Sequence, residues 1–140
     1  MSSESKKIKT IQSSYDALAE PYANRFFHEL DYRPRERELL ERFAGGCRGR
    51  GLICDLGCGP GHVAGFLRRF NSDVIGLDLS HQALVQGRRR NADIVFLQGD
   101  MLALPIAARM LSGIVAFYSI IHFEGPQVDR ALAEMHRVLV

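Results

Sequence analysis

The amino-acid sequence predicts an α/β protein in which a doubly wound parallel sheet follows a helical N-terminal segment. After residue 51, short apolar runs and segments of helical periodicity alternate three times along the chain. The connections are short, and parallel strands joined by right-handed helical crossovers are the simplest arrangement that fits such alternation. A chain of 140 residues has room for one core of ordinary size. We therefore expect a single sheet with helices on both faces.

The N-terminal segment is predicted to be helical and to precede the sheet. Apolar residues recur at helical spacing over residues 8–29, and Pro21 is expected to break or restart this helix. A second helix is predicted to begin at Pro34, which suits a first helical turn, and to end at Gly45-Gly46.

Four apolar runs are predicted to be strands. They cover residues 52–56, 73–78, 94–97 and 114–118. A helix is predicted over 63–70; Ser80 is placed to cap a helix that continues to Arg90, and Pro126 to open the last helix. The third connection is short and contains Pro105, so any helix there is expected to be brief.

Composition and charge exclude several classes of protein. A formal charge of +2 is too mild to indicate a nucleic-acid partner. Arg88-Arg89-Arg90 lies where a helix is predicted to end, which suits cations, although a phosphate patch is the alternative. No apolar run reaches the roughly 18 residues of a membrane helix. Three cysteines indicate a reducing cytoplasm, and Cys54 and Cys58 are too isolated from other ligands for a metal site.

A glycine-rich turn follows the first predicted strand. Gly57, Gly59 and Gly61 occupy alternate positions, and without a Cβ the backbone can bend tightly and approach a ligand. The following helix would present free N–H groups there. The turn could also be a plain strand-to-helix connection, but a buried strand before it and a helix after it are the context that a ligand-binding loop requires.

The residues around this turn disfavour a dinucleotide. The dinucleotide fingerprint needs a glycine where His62 stands, and Pro60 occupies the stretch that would face a pyrophosphate. Asp55, at the end of the strand, would repel a phosphate but attract the ammonium or sulfonium of a cationic ligand. Asp55 could instead cap the glycine turn.

Two further carboxylates follow the next two predicted strands. Asp78, 23 residues beyond Asp55, could accept hydrogen bonds from both ribose hydroxyls, or could simply begin the next helix. Asp100 lies 22 residues further on and could accept from an adenine amine beside Met101, although Gly99-Asp100 is also an ordinary turn signal. Because ligands of such sheets bind at the carboxyl ends of the strands, the three acids predict one nucleoside site.

Taken together, these segments resemble the class I S-adenosylmethionine-dependent methyltransferases in order and spacing. The matching stretches are 53–61, 76–80 and 99–105. The resemblance implies a Rossmann-like sheet with strand order 3-2-1-4. It also implies a helical lid over residues 1–46 and a cofactor-binding domain over residues 47–140.

The resemblance carries expected roles for individual residues. It implies S-adenosylmethionine as the cofactor and S-adenosylhomocysteine as the product, with the methionine part along the glycine turn. Asp78 would take the ribose hydroxyls, and Asp100 and Met101 would bracket the adenine. The other residues expected to contact the cofactor are Tyr15, Tyr22, Asp55, Gly57, Cys58, Gly59, Gly61, Leu79, Gly99 and Ser119.

Aromatic and imidazole side chains complete the predicted site. Tyr15 and Tyr22 lie seven residues apart on one helix face and resemble the aromatic lid of small-molecule methyltransferases, although they could simply belong to the core. His122 follows the fourth predicted strand and could be a base or could orient the acceptor. A structural hydrogen-bonding role for His122 is the alternative.

The expected activity is methyl transfer to an O, N, S or C atom of a small molecule, with a protein or RNA acceptor as the alternative and no membrane involved. A non-catalytic cofactor-binding module and, with less support, a nicotinamide-dependent dehydrogenase are the alternatives. By resemblance, three more strands would follow Val140, so the chain is expected to continue or to have its fourth strand covered by a partner. Weak binding, self-association through that strand edge or a lack of turnover is expected of the 140 residues alone.

Overall fold

The computed structural model describes residues 1–70 and 73–140. The described residues form four strands, five α-helices and one 3-10 helix, Glu29–Tyr32, between the first two α-helices. The elements are α1 Ser3–Phe26, α2 Pro34–Cys47, β1 Leu52–Leu56, α3 His62–Arg68, β2 Val74–Asp78, α4 His81–Arg90, β3 Val95–Gln98, β4 Leu111–Val115 and α5 Gly125–Val138.

The strands form one parallel sheet in the order β3-β2-β1-β4, which confirms the predicted fold class and strand order. Consecutive residues of a strand point to opposite faces of a sheet. On one face Ile53 packs with Leu67 and Phe96, and on the other Cys54 packs with Leu111. Each face therefore has its own apolar cluster, with helices covering it.

The first cluster extends into the N-terminal segment. Leu30, Leu40 and Ala44 are buried in it together with sheet residues such as Ile53. These contacts fix α2 and the 3-10 helix against the sheet. The division at residues 46 and 47 stays a prediction about domain organisation.

Two predicted helix boundaries in the N-terminal segment are wrong. Pro21 lies inside α1 without ending it. Residue 17, whose carbonyl would have accepted the missing N–H bond, is on the exposed side, so water can satisfy that carbonyl. The second helix continues through Gly45-Gly46 to Cys47, because Phe43 and Cys47 pack against the sheet at Gly113 and hold the last turn.

The fourth strand begins and ends about three residues earlier than predicted. Its ladder with β1 pairs Leu52 with Leu111 and Asp55 with Val115. Tyr118, expected to be in the strand, has φ +54°, in the left-handed region that no strand contains. Residues 101–110 consist of turns and bends with one isolated bridge at Ala103, and contain no helix.

The outer edge of β4 is paired at one end. Leu139 forms a parallel bridge with Leu111, the Met110 N–H donates to the Val138 carbonyl, and the Val140 N–H donates to the Leu111 carbonyl. This edge was expected to be bare. The residues at the end of α5 and after it therefore pair with the outer edge of β4 at the start of that strand.

One aromatic ring joins the sheet to two helices. A Cβ placed on Gly61 or Gly76 would lie 2.7 Å or 2.6 Å from an atom of the Phe96 ring, and one placed on Gly87 would lie 3.1 Å from it. Gly61 precedes α3, Gly76 is in β2 and Gly87 is in α4. Phe96 therefore fills the space that three glycines leave open below the glycine turn.

Candidate functional site

A cavity of about 350 Å³ lies at the carboxyl ends of the strands, beneath α1. Cavities of this volume are typical of small-molecule binding sites. The predicted site residues that line it are Tyr15, Tyr22, Asp55, Gly57, Cys58, Gly59, Asp78, Leu79, Gly99, Asp100, Met101, Ser119 and His122. Gly61 is the exception, because it packs against Phe96 and accepts a hydrogen bond from the Asn91 side chain through its carbonyl.

The glycine turn is held in a conformation that favours glycine. Gly57 has φ +75°, and its N–H donates to the Leu77 carbonyl at 2.7 Å. A Cβ at Gly57 would lie 2.2 Å from the Ser119 Cβ. The turn can therefore approach the loop after β4 only because residue 57 has no side chain.

Asp55 is a buried carboxylate at the end of β1. Its Oδ2 accepts a hydrogen bond from the Ala64 N–H at 2.9 Å, in the first turn of α3. Burial, with a smaller contribution from the charge of Asp78, raises the Asp55 pKa to about 7 despite that bond. The Asp55 carboxylate thus caps the turn into α3 and also forms part of the cavity wall. The capping role and the ligand-facing position, which were alternatives in the sequence analysis, therefore occur together.

Asp78 is fixed by backbone donors on both sides. Its Oδ2 accepts from the Gly59 N–H and its Oδ1 from the Ser80 N–H, both at 2.8 Å. Burial raises the pKa of Asp78, whereas these bonds oppose the rise. A carboxylate has about four lone-pair sites, so Asp78 keeps acceptor capacity toward a ligand hydroxyl.

Asp100 and Met101 border the cavity next to β3. The Asp100 Oδ1 accepts from the Leu102 N–H at 2.8 Å, so Asp100 also stabilises a turn of its own. A Cβ on Gly99 would lie 2.8 Å from Pro105, which explains the glycine before this acid. The Met101 methyl group lies 3.4 Å from the Cβ position of Gly57, so it reaches the centre of the site.

Helix α1 is tied to the sheet by a hydrogen-bonded link that the sequence did not predict. The Asp16 Oδ1 accepts from the Ser80 hydroxyl at 2.6 Å and from the Gln82 N–H at 3.0 Å. The Ser80 hydroxyl also accepts from the Ala83 N–H, which confirms its role as the cap of α4. Asp16 therefore connects α1 to the residue that also donates to Asp78.

A second link crosses the cavity mouth. The Tyr15 hydroxyl and the His122 Nε2 lie 2.6 Å apart, and the two rings meet edge to face. Burial, followed by the charge of Asp78, raises the pKa of Tyr15, and burial likewise raises the pKa of Tyr22. Two residues predicted separately thus form one hydrogen-bonded pair.

The far end of the cavity has a polar cluster that sequence reasoning missed. The His62 Nε2 lies 2.6 Å from the Glu29 Oε1, and Arg33 Nη1 donates to the Tyr118 hydroxyl at 3.2 Å with its guanidinium over the same ring. Burial lowers the pKa of His62, although Glu29 opposes that shift. Glu29 is 33 residues away from His62 and belongs to no motif, so no pattern indicated the pair.

Two buried side-chain atoms, the Ser119 Oγ and the His62 Nδ1, have no hydrogen-bond partner within the described chain. Both residues line the cavity. Buried polar groups are normally paired, so each of these atoms is suited to a polar group of a ligand.

The three cysteines are free thiols, and burial raises the pKa of Cys54 to about 12 and also that of Cys58. Raised thiol pKa values indicate low nucleophilicity. Across residues 1–70 and 73–140, no group of three or more His, Cys, Asp or Glu side chains is placed to hold a metal ion. In the same residues, no helix has the length and apolar character to span a membrane.

Comparisons with known proteins identify the relatives of this chain. A family model described as a methyltransferase domain matches residues 53–140. The chain is 33% identical over 104 residues to a demethylmenaquinone methyltransferase of Renibacterium salmoninarum, covering 74% of this chain and 43% of the relative. It is 39% identical over 56 residues to a malonyl-[acyl-carrier protein] O-methyltransferase of Enterobacter lignolyticus, covering 40% of this chain and 22% of the relative. The chain thus spans less than half the length of either relative.

Solved structures share the fold. A TehB-like methyltransferase of Corynebacterium glutamicum, described as dependent on S-adenosylmethionine, superposes with a TM-score of 0.70 at 28% identity, covering 88% of this chain and 67% of that one. A second structure, from Methanococcus maripaludis, has the same TM-score at 24% identity, with coverage of 91% and 58%.

Proposed function

Because the chain belongs to the class I S-adenosylmethionine-dependent methyltransferases, we propose that its cavity binds S-adenosylmethionine for methyl transfer to a small-molecule acceptor. The observation that carries this proposal is the meeting of Asp55, Asp78 and Asp100 with the glycine turn around one cavity. S-adenosylhomocysteine would be the product, and the acceptor atom would be O, N, S or C.

The residues present fit this cofactor. Asp78 keeps acceptor capacity for the ribose hydroxyls. Asp100 is suited to the amino edge of the adenine, and Met101 is suited to contact with the face of the ring. The acidic wall suits a cationic ligand, and the unpartnered Ser119 hydroxyl offers a further polar contact. When bound, the cofactor supplies a methyl group already activated by its sulfonium. The protein then has to align the acceptor and exclude water, and such positioning can contribute roughly 7–11 kcal/mol.

A nicotinamide dinucleotide fits less well. Its pyrophosphate would meet carboxylates near the turn, because Glu29 as well as Asp55 and Asp78 lines the cavity. His62 stands at the third glycine position of the dinucleotide fingerprint and is held by Glu29. These observations support a methyl donor over a hydride donor.

The acceptor is proposed to have an apolar body. Ile8, Ile11 and Phe123 line the cavity at the end where Tyr15 meets His122. The relatives are named for quinone and acyl-carrier-protein acceptors, which are consistent with such a wall. When the acceptor arrives protonated, His122 is the proposed final recipient of its proton within the site. Because Cys47, Cys54 and Cys58 are free thiols, we also propose a reducing, cytoplasmic location.

Calorimetric titration with S-adenosylhomocysteine tests the proposal. The parent should bind, and Asp78→Ala should bind roughly 10- to 100-fold more weakly, because the hydrogen bonds of a charged acceptor contribute about 1.5–3 kcal/mol. Asp129→Ala is the matched control, since Asp129 is exposed on α5 and outside the cavity lining. Circular dichroism should show both variants folded. Equal affinity in all three proteins, or no binding by the parent, would reject the cofactor site; binding without turnover would favour the non-catalytic module.

Self-association is proposed at the outer edge of β4. In the described chain that edge is paired only near Leu111, by the residues that follow α5. An unpaired strand edge is a template for pairing with another chain. Light scattering during size-exclusion chromatography should therefore show the apparent mass rising with concentration, and a constant monomer mass would argue against it.

A further inference from the structure

Tyr15 and His122 connect the interior of the cavity to solvent. Tyr15 is partly buried on α1, whereas His122 is exposed in the loop after β4. The Tyr15 hydroxyl lies 2.6 Å from the His122 Nε2, and both residues line the cavity. Between two such groups a proton can move without any rearrangement of the backbone.

The direction of the hydrogen bond follows from the surroundings. Burial and the nearby charge of Asp78 raise the pKa of Tyr15, so the phenol is protonated at neutral pH and donates to the imidazole. A neutral imidazole that accepts at Nε2 carries its proton on Nδ1. Glu124, two residues after His122, forms an ion pair of 2.9 Å with Lys7 of α1.

This arrangement restricts how His122 can serve as a base. Its Nε2 lone pair is already directed at the Tyr15 hydroxyl, and its Nδ1 is a donor in this tautomer. A proton from the acceptor can therefore reach the imidazole only by way of the Tyr15 oxygen. The phenolic oxygen has acceptor capacity for that proton while its own hydrogen points at His122.

We propose that Tyr15 is the residue that takes the acceptor's proton and that it passes its own proton to His122, so that the two form a relay from the cavity to solvent. This inference rests on the proposed methyltransferase function. The acceptor O–H or N–H bond breaks toward the Tyr15 oxygen, and the Tyr15 O–H bond breaks toward the His122 Nε2. Tyrosine is thereby restored, and the exposed imidazolium releases its Nδ1 proton to water; tautomerisation through water then returns the remaining proton to Nδ1, so that Nε2 can accept again. The electron pair of the broken bond stays on the acceptor atom, which becomes a nucleophile.

A chromogenic phenol tests the relay without knowledge of the natural acceptor. The probe is 4-nitrophenol, whose ionised form absorbs visible light, added to the protein saturated with S-adenosylhomocysteine. The relay predicts that the bound phenol is ionised to a greater extent than free phenol at the same pH. Tyr15→Phe and His122→Ala should each lower the ionised-to-neutral ratio by at least about fivefold, the equivalent of one hydrogen bond. The double variant should lower it no further.

The other outcomes are equally decisive. Tyr32→Phe is the control, because it removes the same hydroxyl from a tyrosine that is exposed and lies outside the cavity lining. If His122→Ala lowers ionisation and Tyr15→Phe does not, His122 acts directly and the relay is wrong. A probe that stays neutral or does not bind to the complex also overturns the relay. Failure of S-adenosylhomocysteine to bind would instead reject the proposed function.

Discussion

Replacing Gly57 by alanine is expected to abolish cofactor binding and to destabilise the fold. The new Cβ would lie 2.2 Å from the Ser119 Cβ and 2.9 Å from its Oγ. The φ of +75° adds about 1–2 kcal/mol for a residue with a side chain, and overpacking adds roughly 1–3 kcal/mol. Because the turn and the loop after β4 must separate, affinity for S-adenosylhomocysteine should fall at least about 100-fold in calorimetry.

Gly45→Ala is the matched control for Gly57→Ala. Gly45 lies inside α2, has no positive φ, and has no atom within 4 Å of the Cβ position. The same change of residue should there raise the free energy of unfolding by up to about 1 kcal/mol, because alanine favours a helix over glycine. Its cofactor affinity should equal that of the parent. Urea unfolding measures both stabilities, and a Gly57→Ala protein as stable as the parent would show that the Ser119 contact is not restrictive.

The stability of the protein should decline as the pH rises from about 4 to about 7, in part because of Asp55. Its folded pKa is about 7, above the value of 3.8 for an ordinary carboxyl group. Over this interval the unfolded chain has released the proton that the folded chain still holds, so a rise in pH favours unfolding. The difference between these two pKa values corresponds to a loss of at most about 4 kcal/mol in the free energy of unfolding. Asp55→Asn cannot ionise, so the decline that residue 55 causes should be absent from this variant. Its side-chain oxygen can still accept a hydrogen bond from the Ala64 N–H.

Urea titrations of the parent and Asp55→Asn at several pH values between 4 and 8 measure this effect. Asp78 also has a raised pKa and contributes to the decline of both proteins, so the quantity to compare is the difference between them. That difference should grow in favour of Asp55→Asn by several kcal/mol as the pH rises. Asp129→Asn, which makes the same change of residue at an exposed position of α5, is the matched control. A constant difference for Asp55→Asn as well would show that Asp55 is ionised throughout in the folded protein.

The strands of the sheet were predictable because each depends on a local pattern, whereas their order was expected from the resemblance to the class I methyltransferases. Apolar runs ending in Asp55, Asp78 and Gly99-Asp100 mark the carboxyl ends of three neighbouring strands, and such ends must meet at one edge. The boundaries that failed depend on distant contacts. Pro21 is tolerated because of which side of α1 faces water, and Gly45-Gly46 because Phe43 and Cys47 pack on Gly113. No local propensity contains that information.

The difference between local patterns and distant contacts also applies to the candidate site. Each predicted residue except Gly61 could be placed at the cavity because its motif lies at a strand end or on the N-terminal helix. The pairs that give the cavity its chemistry could not be predicted, since Tyr15 and His122 are 107 residues apart and Glu29 and His62 are 33 apart. Which partner a side chain meets across the cavity depends on how α1 and the 3-10 helix dock.

Phe96 packs against Gly61, Gly76 and Gly87, so the size of the side chain at each of these four positions limits the size at the others. An evolutionary exchange at one of them is then restricted by the other three. Alanine at Gly87, where the nearest atoms to a Cβ all belong to the Phe96 ring, should be tolerated better beside a smaller residue at 96, and that pair of changes should recover stability that either lacks alone. The underside of the turn is therefore restricted by packing alone, whatever its opposite face contacts.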